Sequence, residues 1–185
     1  REGIYICALS PNLISQIYFT NNMDHLSLQM DLALLQSPSP YLDEQTIILR
    51  AMRTSVELNR TNDIQPYVNL SLEDYKVDWS FKLPMLAWSM KCYPTQQEDI
   101  SAKYELLLLH ISESIAIQVD RSRPFSEQVN YVHNEYKRGS KDLYAFHIAH
   151  AKAPLEQKER LIAEYLQKEQ VGFYRTQVIE MYQNK

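Results

Sequence analysis

A chain of 185 residues that carries only three glycines, Gly3, Gly139 and Gly172, has few ways to build a loop around a small molecule. Glycine lets the backbone take positive φ and press against a ligand, which is what phosphate-cradling loops require. Average usage is about 7%. Neither the dinucleotide fingerprint, the phosphate-binding loop nor the nucleophile elbow can be written with glycines at these three positions. Function is therefore sought on the faces of regular elements, and Gly139 and Gly172 read as punctuation at helix ends.

Length and composition fit one domain spanning 1–185 with a core of its own: 45% of residues are hydrophobic and 23% charged. Two sub-lobes are expected within it, 1–120 and 121–185. Cys7 and Cys92 lie far apart in apolar settings and read as reduced thiols of an intracellular protein. No stretch reaches the ~18 apolar residues of a membrane span, and the first residues lack the layout of a signal peptide. A cytoplasmic protein without membrane contact or cofactor is the expectation. The chain opens on Arg1, which suits a processed product or a fragment equally.

The residues from Ile4 to Ala8 form a short apolar run that reads as one strand or an extended arm. Helical signals then dominate. Ser10-Pro11 launches a helix over 12–19, and Asn21-Asn22 breaks the chain before Asp24 starts another to Leu35. Ser37-Pro38-Ser39-Pro40 reads as a linker, and Asp43 opens a helix to Asn59. Residues 61–70 look irregular, with a short helix capped by Ser71, and Pro84 and Pro94 bracket an apolar piece. Thr95 and Glu98 form a capping box for the strongest pattern, 96–120, whose Leu106 to Leu109 run makes it apolar on more than one face. Such a helix belongs at the centre of a bundle. Four shorter helices follow, over 126–138, 141–152, 154–170 and 173–183, packed as antiparallel hairpins or a short stack. Phe146, Ala149 and Pro154 resemble the second half of a tetratricopeptide repeat in their spacing. Asn130 and Asp142 depart from that pattern, no second copy follows, and nothing about function is carried over from it.

Three constellations carry chemistry. His147 and His150 sit on adjacent turns, and with His133 on the preceding helix they outline a metal or acid–base site. His110, inside the most apolar helix, reads as a buried, hydrogen-bonded histidine. Charge is uneven. Residues 1–120 hold 8 Lys and Arg against 15 Asp and Glu, whereas 121–160 hold 8 against 5. Arg121, Arg123, Lys137, Arg138 and Lys141 interleave with aromatic residues, a mixture that can meet phosphates and stack on bases. Finally, six of the 13 tyrosines, Tyr131, Tyr136, Tyr144, Tyr165, Tyr174 and Tyr182, fall in the last four helices, where tyrosine suits both core rims and interfaces.

These readings converge on an all-α bundle of seven to nine helices. The expected function is that of a non-enzymatic regulatory or interaction module, within a transcription regulator or multiprotein assembly. It would dock a protein partner through Tyr131, Tyr136, Arg138, Lys141 and Tyr144. Two alternatives stand beside it: nucleic-acid binding through 121–141, and a metal-dependent enzyme using His133, His147 and His150. Homo-oligomerisation is compatible with all three.

Overall fold

The computed structural model describes residues 11–37 and 43–182, apart from the side chains of residues 11–14. The apolar run at residues 4–8, Gly3, Cys7 and most of the Ser37–Pro40 linker lie outside the described residues. Among the described residues there are nine α-helices, two 3-10 turns and no strand, so the chain is all-α. It divides into two compact units, Arg1–Gln96 and Gln97–Lys185.

The first unit holds α1 (Pro11–Thr20), α2 (Asp24–Gln36), α3 (Glu44–Glu57), α4 (Gln65–Glu73) and α5 (Trp79–Cys92). Asp43 caps α3, accepting from the Thr46 N–H at 3.2 Å, and Asp78 caps α5, accepting from the Ser80 N–H at 2.8 Å. The piece that Pro84 seemed to bracket is the interior of α5, which continues through the proline. Proline removes one backbone donor there, and burial compensates: Leu83, Met85 and Leu86 are all fully buried. Each such side chain contributes about 2 kcal/mol when withdrawn from water. α3 lies between α2 and α5, burying Ile47, Ile48, Ala51 and Met52.

One ion pair ties the first three helices. Asp31 on α2 is fully buried; Arg50 on α3 donates to it from Nε at 3.0 Å and Nη2 at 2.5 Å, and Ser15 on α1 adds its hydroxyl at 2.5 Å. A forked pair satisfied this completely can exist away from water, whereas either partner alone could not.

The second unit holds α6 (Gln97–Ser114), α7 (Phe125–Lys152), α8 (Leu155–Lys168) and α9 (Gly172–Tyr182). α6 buries one stripe, Ile100, Tyr104, Leu108 and Ile111, while Leu106 is 77% exposed and His110 is exposed as well. The expectation of an all-round apolar helix with a buried histidine is corrected on both points. The leucine run is longer than the buried stripe is wide.

The largest departure is α7. The chain does not turn at Gly139; a single helix of 28 residues runs through it. Val129, Val132, Tyr136, Gly139, Leu143, Phe146 and His150 recur at alternating spacings of three and four and are buried or half-buried, so one continuous stripe faces α6, α8 and α9. The repeat-like reading needs a turn where this helix is uninterrupted.

Both described glycines serve close approach. A Cβ at Gly139 would overlap one edge of the Tyr174 ring, and one at Gly172 would overlap the Cβ of Ala116. Neither has positive φ. Among the described residues the left-handed positions belong instead to Asn22 (φ 57°), Asn59 (φ 54°) and Ala116 (φ 50°), which follow the ends of α1, α3 and α6. Ala116 ends the element expected to reach 120, and its carbonyl accepts the Gly172 N–H at 3.2 Å while Ile115 accepts that of Phe173 at 3.1 Å. The start of α9 is thereby fixed to the end of α6.

Candidate functional site

α7 presents its uncovered side to solvent along most of its length. Lys137, Lys141, Ala145, Ile148 and Lys152 are exposed and recur every three or four residues on one face. Tyr144 is 70% exposed beside Lys141, Tyr131 is 39% exposed nearer the helix start, and Ile148 is 39% exposed. Tyr131 also borders a cleft of about 200 Å³ with Gln118, Val119, Asp120, Arg123 and Gln128. Ligand pockets are usually larger, about 300–1,000 Å³. Hydrogen bonds from Ser122, side chain first and backbone second, hold the Asp120 carboxyl below the usual range, so the cleft keeps its negative charge.

Two residues expected on the contact face are directed elsewhere. Tyr136 lies on the inner side of α7, stacked on Tyr174 with ring centroids 5.7 Å apart, and its carbonyl accepts the Tyr174 hydroxyl at 2.9 Å. Arg138 is engaged within the unit. It donates to Glu169 at 2.8 Å, Glu135 at 3.0 Å and Asp142 at 2.7 Å. The Glu169 side chain is only 1% exposed and also accepts the Val171 N–H at 2.8 Å. That hydrogen bond to Glu169 is the main reason the guanidinium holds its proton more tightly than usual, against the opposing effect of burial. No sequence signal links 138 to 169. The continuous spacing of the α7 stripe, however, places Tyr136 inside from sequence alone.

The basic segment looks different once its partners are visible. Arg121 pairs with Glu105 at 3.7 Å, Arg123 with Asp120 at 3.3 Å and Arg160 with Glu164 at 3.5 Å, alongside the Arg138 cluster. Every arginine between 121 and 160 thus has a carboxylate, and the uncovered cations of α7 are lysines. Arginine is the side chain that grips phosphate with two nitrogens; lysine is a point charge.

The three histidines do not converge. His133 and His147 lie on the same helix 14 residues apart, about 21 Å along its axis. Among the described residues no group of three or more His, Cys, Asp or Glu is placed to hold a metal. His147 and His150 instead meet Tyr182 of α9, whose hydroxyl lies 2.8 Å from the His147 Nδ1. Cys92 is buried, and burial pushes its thiol up to about 11 against the weaker opposing pull of Lys91, the reverse of an activated nucleophile.

Compared with known proteins, this chain matches no family model, no curated protein and no solved structure. No helix among the described residues is long and apolar enough to cross a membrane.

Proposed function

We propose that this chain is a non-enzymatic interaction module that docks an acidic, amphipathic segment of a protein partner along the outer face of α7. The observation that carries the reading is the division of labour among its cations. The arginines of 121–160 are bound to carboxylates of their own unit, while Lys137 and Lys141 are exposed beside Tyr144. A tyrosine offers wide contact area at low entropic cost, and flanking lysines select a partner of opposite sign and speed its approach. Ile148, on the same side of the helix, extends the apolar part of the face. Tyr131, Lys141 and Tyr144 remain contact residues in this reading; Tyr136 and Arg138 support them from within. Nucleic-acid binding draws less support, because three of its five proposed cations already have anionic partners.

Site-specific photo-crosslinking tests this reading. A photoreactive residue at position 144 should capture a discrete partner through an acidic peptide, identified by mass spectrometry. The exposed position 157 on α8 should not. The capture should disappear in Lys137→Glu/Lys141→Glu at unchanged melting temperature. Equal capture at 144 and 157, or capture indifferent to the charge reversal, would sink the proposal.

A further inference from the structure

The docking face leaves unused a cluster on its inner side, where the last turns of α7 and α9 meet. Tyr182 covers His150 with ring centroids 4.1 Å apart and stands edge-on to Phe146 at 5.6 Å, while its hydroxyl bonds to His147. Phe146 packs in turn on Tyr165 of α8 at 4.7 Å. His150 is 9% exposed. Among the described residues, the titratable and charged groups facing His150 are His147 on the same helix, Lys158 on α8 and Tyr182 on α9, and none of these is a carboxylate. Tyr165, reached through Phe146, faces Glu169, Asp142 and Arg138 instead.

We propose that this cluster is an acid-sensitive latch: protonation of His150 releases the last turn of α9 from α7 and uncovers the rings of Phe146 and Tyr165. A proton placed on His150 creates a charge that is screened from water, has no counter-ion among the described residues and stands near the ammonium of Lys158. The face of the Tyr182 ring attracts a cation. That same ring excludes the water a cation needs, and release of Tyr182 restores hydration at the cost of one hydrogen bond and the ring contacts with Phe146, His147 and His150. Consistent with this balance, burial first, then Lys158 and His147, hold the His150 imidazole below the usual histidine value of 6.5. For a group depressed in the docked state, the latch is at full strength above that value and weakens as pH falls through it towards the lowered one.

Hydrogen exchange of the full chain, corrected for the intrinsic pH dependence of exchange, tests the latch. Amides of residues 178–182 should exchange several-fold faster at pH 5.0 than at pH 7.5, while those of α3 hold their protection. His150→Phe keeps an aromatic ring that cannot take a proton, and should leave α9 equally protected at both values. Unchanged protection of α9 in acid, or acid-induced exchange that persists in His150→Phe, would overturn the proposal. If His150→Phe does not fold, NMR titration of the unaltered chain decides: Tyr182 ring signals must move with the His150 titration, and their failure to do so rejects the latch.

Discussion

Arg138 gives two nitrogens to Glu169, whose carboxylate is almost shut off from water, so removing the guanidinium leaves a buried anion with the Val171 N–H as its remaining donor. Arg138→Ala is expected to lower the free energy of unfolding by about 2 kcal/mol, read from urea denaturation. Arg138→Lys should recover only part of that, since an ammonium cannot span Glu169 and Asp142 together. A second residue-scale prediction concerns Ala116 and Gly172. Gly172→Ala places its Cβ against that of Ala116 and should destabilise the chain by about 1–2 kcal/mol. Ala116→Gly removes the opposing methyl and also relieves a left-handed alanine, so the double variant should be more stable than Gly172→Ala alone. A thermal-melt double-mutant cycle checks this, and additive effects would count against the contact. Such pairs are invisible in sequence because 31 residues separate Arg138 from Glu169 and no local pattern marks either as a partner.

At the scale of the element, α7 shows which signals were legible. The helices over 24–35, 43–59 and 154–170 follow from their caps and spacing, and the structure places α2, α3 and α8 within a few residues of those bounds. Gly139 read as the stop between helices over 126–138 and 141–152. The deciding signal was phase: a turn would reset the apolar spacing, yet the three-and-four alternation from Val129 to His150 passes through Gly139 without a break. Glycine is there because the ring of Tyr174 occupies the space of its side chain. Two effects therefore compete in Gly139→Ala. Helix propensity favours alanine by about 1 kcal/mol, whereas the buried Tyr174, fixed by its hydroxyl and its stacking on Tyr136, has no room to retreat. Overpacking costs about 1–3 kcal/mol, so a net loss of stability is expected in calorimetry, together with unchanged helix content by circular dichroism. A melting temperature above that of the unaltered chain would show that Tyr174 can move.

For the molecule as a whole, the all-α class was legible because periodicity and capping are local, and the distribution of charge was not, because counting charges ignores how they pair. The excess of cations in 121–160 is offset by carboxylates from outside the segment, Glu105, Asp120, Glu164 and Glu169. With a formal net charge of −4, the chain should show no binding to a generic polynucleotide even at low salt, measured by fluorescence anisotropy. Tight binding that falls steeply with salt would revive the nucleic-acid reading. The three left-handed positions among the described residues, filled by Asn22, Asn59 and Ala116, bear on the unfolded chain as well as the folded one. Side chains at such sites carry strain, about 1 kcal/mol for alanine. Across the chain, however, there are about ten fewer glycines than average usage would give, and each replacement that the native backbone accepts narrows the unfolded ensemble by about 0.5 kcal/mol. The sparing use of glycine thus favours the folded state without adding a contact: the unfolded chain has less freedom to lose.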